Sequence, residues 1–247
     1  PDIVPTNGPA ELIDVLESPN RFLPLLEYQI AEQSSGASPT ERDGGRVIKQ
    51  SLRLSAQNAY EDVLILGRLF TKHLSLATKT RNHPLTQQIL AHKEAEVFPA
   101  AWVESICQLI CKVSSKSLGT SSLLVTVIPA RQERTPRLER LLRQVEHRFN
   151  QIKPIPEVRI HFDGQLLAFK PGARSHHGEH LNRPARIQNV RNNLYVTKPT
   201  NIQGRSVLVL DDVVTSGATL LCAAKFLYEC GALQVNLAAL TQTVGNR

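Results

Sequence analysis

The chain has 247 residues, is 41% apolar and carries a formal charge of +7 with a pI of about 9.4. That length suits one large domain or a core domain plus an extension. No apolar run approaches the roughly 18 residues of a membrane-spanning helix, which excludes a helical membrane protein, and the positive charge favours anionic partners such as nucleotides, pyrophosphate or nucleic acid.

The opening stretch, PDIVPTNGPAELID, lacks a basic segment followed by an apolar one, so no secretory signal is expected. The sequence contains no Met, even at position 1, which reads as trimming or processing. Residues 1–119 read as a helical N-terminal region partly packed on a core formed by residues 120–247. Within the first region AELIDVL and FLPLLEYQIAEQ read as short amphipathic segments broken by Pro19, and SSGASPTERDGG (34–45) is loop chemistry. Residues 59–77 carry Val63, Leu66, Leu69, Phe70, Leu74 and Leu76 at near-helical spacing, and Trp102, Ile106, Leu109 and Ile110 continue the pattern over 97–113. SSKSLGTSS (114–122) breaks it.

The texture then changes. LLVTVIP (123–129) is a continuous apolar strand, RLERLLRQVEHRF (137–149) a helix, and EVRIHF and QLLAFK read as strands around an Asp163-Gly164 turn. VLVLDD (207–212) is a strand, GATLLCAAKFLYECGA a helix closed by Gly231, and QVNLAAL a last strand. Continuous apolar strands separated by helices predict an α/β fold with a parallel sheet covered on both faces. Cys107, Cys111, Cys222 and Cys230 fall in helical segments without a CxxC pair. They read as buried small apolar residues in a reducing, cytoplasmic setting.

The stretch VLVLDDVVTSGAT (207–219) concentrates the chemistry. Ligands of open α/β sheets sit beyond the carboxyl ends of the strands, where Asp211 and Asp212 fall. The following Thr215, Ser216, Gly217, Ala218 and Thr219 enter a helix. A helix start offers unpaired N–H groups and partial positive charge to a phosphate, Gly217 permits close backbone approach, and the hydroxyls add donors. Two carboxylates beside such a cradle suit a sugar diol or a hydrated Mg2+, so the stretch reads as a ribose 5-phosphate site. Taken alone, Asp-Asp is equally a helix cap and Thr-Ser-Gly an ordinary turn. The P-loop pattern GxxxxGK[ST] is absent.

The complete pattern of four apolar residues, Asp-Asp, two apolar residues and Thr-Ser-Gly-x-Thr resembles the phosphoribosyl-diphosphate (PRPP) motif of the type I phosphoribosyltransferases. The resemblance covers roughly residues 120–243. It is strongest to the competence-protein-F-type (ComF-like) branch, through Leu181, Arg186, Asn189 and Val190 in HLNRPARIQNVRNNLYV, although Gly178 stands where that branch usually has Gln. It implies a mostly parallel sheet with helices on both faces and a β-hairpin hood carrying Arg186 and Asn189.

It also implies that the loop after the first core strand, PARQERTP (129–136), holds pyrophosphate through Ala130, Arg131 and Gln132, with Arg134 nearby; the alternative is a helix-initiating turn with exposed arginines. Lys170 and Arg174 in KPGARSHHGEH (170–180) would belong to a flexible loop closing over the diphosphate. His176, His177 and His180 could chelate zinc only on a helix, which Gly172 and Gly178 oppose. Arg183, Arg186 and Arg191 either meet an anionic ligand or line a solvated hairpin.

The activity implied is phosphoribosyl transfer to or from a nucleobase, with Asp211 and Asp212 as catalytic residues orienting the ribose and holding Mg2+ through water. The expected partners are PRPP or a nucleotide, with a nucleobase acceptor and nucleic acid both compatible, no membrane, and a homo-oligomeric assembly. The same motif also serves non-catalytic PRPP or nucleotide sensors and DNA-processing modules. The Arg-rich segments 131–148 and 170–198 suit that alternative, whereas the 5% aromatic content weakens single-strand stacking as its mode.

Overall fold

The computed structural model describes residues 22–24, 63–70, 81–117, 122–152, 154, 158–172, 183–215 and 217–244. The readings of AELIDVL and SSGASPTERDGG, and the placing of Arg174, His176, His177, Gly178, His180, Leu181 and Ser216, lie outside them.

In chain order the elements are β1 (Leu23–Pro24), β2 (Leu64–Phe70), α1 (Pro84–Ala91), α2 (Ala100–Lys116), β3 (Ser122–Val127), α3 (Arg137–Ile152), β4 (Arg159–Phe162), β5 (Leu167–Phe169), α4 (Arg183–Asn193), β6 (Leu194–Val196), β7 (Ser206–Val214), α5 (Ala218–Glu229) and β8 (Gln234–Val244), with a 3-10 turn at Pro199–Asn201. Six strands form one sheet in the order β1-β2-β8-β7-β3-β4. Every pair is parallel except β1 with β2. β5 and β6 form a separate antiparallel pair, Leu167 opposite Val196 and Phe169 opposite Leu194.

The expected fold class is the one found: a mostly parallel sheet clad by helices, with a small antiparallel hood. All six residues of β3 and the first five of β7 are buried, as continuous apolar strands covered on both faces should be. α3 shows why its sequence is helical. Leu138, Leu141, Leu142, Val145 and Phe149 are buried at intervals of three and four residues, while Arg143 and His147 point outward. It packs on α2 and β3, whereas α5 packs on β7, β8 and α4. Gly231, at φ 88°, closes α5 in the left-handed conformation.

The topology fixes where a ligand belongs. From β3 the chain crosses through α3 to β4 on one side; from β7 it crosses through α5 to β8 on the other. Two right-handed crossovers leaving in opposite directions put their helices on opposite faces and open a crevice between the adjacent strands β3 and β7. The loops 129–136 and 215–217 both leave at that point.

Three readings are corrected. Residues 64–70, expected to be helical, are a strand beside β8, from Leu64 opposite Ala238 to Phe70 opposite Val244. Leu64, Ile65, Leu66, Leu69 and Phe70 put apolar side chains on both faces of this strand, which imitates a helical stripe over so short a run. Likewise Leu23–Pro24, in a segment read as amphipathic helix, pairs with Leu64–Ile65 as a strand. Residues 183–193 are helix α4, with Pro184 in its first turn, and not part of a hairpin. Ile187 and buried Val190 lie three apart on this helix, and Ile187 packs against the core. The hood strands are β5 and β6, so the strands flanking Asp163-Gly164 pair elsewhere, β4 with β3 and β5 with β6.

Candidate functional site

β7 runs through both acids to buried Val214, with Asp211, Asp212 and Val213 half-buried. Thr215 follows, its hydroxyl 3.2 Å from that of Thr243. Gly217 then takes φ 71°, ψ −2° as the first cap of α5. This is left-handed backbone that a β-branched residue adopts only under strain. The Gly217 carbonyl accepts the first helical bond from the Leu221 amide at 2.9 Å. Ala218 is buried and Thr219 half-buried in the first turn. A helix of 12 residues thus begins at the carboxyl end of a central strand, and a helix start of this kind leaves amides that no helical carbonyl satisfies.

The acids are less open. Asp212 Oδ2 accepts from Arg137 Nη1 at 3.0 Å, with the Arg137 side chain 9% exposed and that of Asp212 33%. Arg137 Nη2 also reaches the Ile89 carbonyl at 3.4 Å, so one guanidinium joins α1, α3 and β7. The Asp212 carbonyl accepts the Thr241 hydroxyl at 3.1 Å. Asp211 is half-buried and lines a small apolar cavity with Phe22, Ile106, Leu138 and Leu240. Its Oδ1 accepts the Asp212 amide at 2.8 Å. Burial pushes the Asp211 carboxyl well above the usual carboxylate range, the charge of Asp212 adds to that, and Arg137 opposes it.

Both acids are therefore engaged. Mg2+ takes oxygen ligands in a near-octahedral shell through one or two carboxylates and waters. Asp212 is paired to the Arg137 guanidinium and Asp211 Oδ1 is taken up by the Asp212 amide, so this arrangement does not fit a cation held by the two together. Among the described residues no group of three or more His, Cys, Asp or Glu could hold a metal.

The loop after β3 lies beside these acids. Ile128 donates to the Leu210 carbonyl at 2.8 Å, keeping the loop's root against β7. Each residue expected to hold pyrophosphate has an internal partner. The Ala130 amide donates to Glu139 Oε1 at 2.8 Å. The Arg131 guanidinium sits 4.4 Å over the Phe169 ring of the hood. Gln132 Oε1 accepts the Gly172 amide at 3.3 Å. The Arg134 amide turns back to the Arg131 carbonyl at 2.8 Å.

Lys170 is exposed, and its amide pairs with the Asn193 carbonyl at 2.8 Å. Asn189 lies on α4 and accepts from Asn193 Nδ2 at 2.7 Å; Arg186 lies on the same helix, and Arg191 there is exposed. Sequence reasoning missed Arg137 and Glu139. The available signal was their position, two residues apart in the first turn after the loop, where a side chain can reach back to the loop or across to the acids.

Against known proteins, the phosphoribosyl transferase domain family matches residues 171–244. No curated protein matches the chain in sequence. Similar solved structures include a hypoxanthine phosphoribosyltransferase from Staphylococcus aureus, 13% identical over 57% of this chain and 62% of that one, with a TM-score of 0.33. Another is a glutamic acid mutant from an analysis of an invariant aspartic acid in HPRTs, 16% identical over 57% of this chain and 65% of that one, with a TM-score of 0.34. The chain thus spans less than two thirds of the length of these structures. No described helix is long and apolar enough to cross a membrane.

Proposed function

We propose that this protein binds the ribose 5-phosphate end of PRPP or of a nucleotide in the β7–α5 loop, with Thr215, Ser216, Gly217, Ala218 and Thr219 around the phosphate. The single observation that carries the reading is Gly217, left-handed at the start of a 12-residue helix and at the topological switch point. Phosphoribosyl transfer to or from a nucleobase is the reaction such a site serves. Its chemistry asks for positioning and electrostatics, without a covalent intermediate. The competence-type branch remains part of this reading.

A second reading, a non-catalytic nucleotide sensor or DNA-processing module, is favoured by one specific feature: Asp212 is paired with Arg137. The two separate in one assay. Pyrophosphate release from PRPP with Mg2+ over a panel of nucleobases supports the transferase. No release, together with salt-sensitive DNA binding that survives Asp211→Asn, supports the module. Calorimetry tests the shared claim: PRPP or a nucleoside 5′-monophosphate binds the unmodified chain and fails to bind Gly217→Val. Normal binding by that variant would contradict it.

A further inference from the structure

Arg137 and Glu139 leave the same helical turn and serve opposite poles of the crevice. Arg137 brings a cation to Asp212 at 3.0 Å. Glu139 brings an anion to the Ala130 amide at 2.8 Å. Its second oxygen, Oε2, is buried without a hydrogen-bond partner among the described residues, an arrangement that costs desolvation energy and is not needed to cap one amide. A positive charge against the acids and a negative oxygen against the loop amide are the charges a metal-bound diphosphate would bring.

We infer that Arg137 and Glu139 are an internal stand-in for metal diphosphate, so that the site selects 5′-monophosphates and disfavours diphosphate-bearing sugars. The inference rests on the ribose 5-phosphate reading above and deepens it by naming the ligand class. An incoming diphosphate meets the Glu139 carboxylate at the amide it would need, and like charges at that range repel. A monophosphate held at the start of α5 asks nothing of the β3 loop. The closure is reinforced from the hood, where Phe169 covers Arg131 and the Gly172 amide takes Gln132, so both loop side chains are occupied at the same time.

The test is calorimetric titration of the full chain with ribose 5-phosphate and, separately, with PRPP plus Mg2+. On the unmodified chain PRPP should bind no more tightly than ribose 5-phosphate. PRPP binding more than about tenfold tighter, a difference of ~1.4 kcal/mol, overturns the inference and leaves the phosphate site standing. Failure of both ligands to bind overturns the phosphate site itself.

In Glu139→Gln, whose amide oxygen can still accept from Ala130, the affinity ratio of PRPP over ribose 5-phosphate should rise about tenfold as the local repulsion is removed. Glu139→Asp keeps the charge and should keep the original ratio. A ratio that is unchanged in Glu139→Gln, or that changes alike in both variants, shows a carboxylate serving only to hold the loop. The unmodified-chain comparison remains decisive if either variant fails to fold.

Discussion

Two loops leave the sheet at the same crevice and differ in how their polar groups are satisfied. The loop after β7 enters α5 through a left-handed glycine and offers backbone amides. The loop after β3 is closed by its own neighbours, Glu139 on the Ala130 amide, Phe169 under Arg131 and Gly172 on Gln132. A site built from backbone at a helix start depends on one residue's conformation. A site that depends on side-chain charge can be filled from within by a single turn of helix, and here α3 supplies that turn.

Breaking the two loops separately should give unlike results. Gly217→Val should abolish ribose-phosphate binding, a loss of at least about 100-fold by calorimetry, because the β-branched residue at φ 71° is strained by ~1–3 kcal/mol and obstructs phosphate approach. The helical circular dichroism should persist. Arg137→Ala should act mainly on stability. It leaves Asp212 without its guanidinium and α1 without a tie to β7, and the partly exposed partner tempers the cost to ~2–3 kcal/mol by urea melting.

Asp211 sharpens the contrast through pH. Its folded-state carboxyl titrates above its unfolded value, so the native chain holds the proton more tightly and stability falls as pH rises from about 4 toward that higher folded value. Asp211→Asn keeps the oxygen that accepts the Asp212 amide and removes the buried charge. It should raise the melting temperature near pH 7–8, with the gain vanishing at about pH 4. A gain that is independent of pH would assign the effect to packing. The smallest effect is expected from Phe169→Ala: loss of the Arg131 contact should cost ~0.5–1 kcal/mol and speed amide exchange at Gln132 and Gly172, leaving the β7–α5 loop unaffected.

Much of this was legible in the residues. Val207–Thr219 announced strand, acids and helix start in order, and the α3 leucines announced their helix. β2 was not legible because Leu64, Ile65, Leu66, Leu69 and Phe70 put apolar residues on both of its faces, although Gly67 argued against a helix interior. α4 was hidden by its low apolarity, since only a narrow face from Ile187 to Val190 marks it and the expected hood drew attention to strands. The pairing of Asp212 with Arg137, 75 residues apart, and that of Ala130 with Glu139 depend on how α3 docks beside β7. No local pattern encodes that docking.

The most direct measurement of the central claim is a crystal soaked with saturating ribose 5-phosphate. Its phosphate should lie on the amides of residues 217–219 at the start of α5. A phosphate seated instead on the 129–136 loop, or no bound sugar at all, would contradict the account.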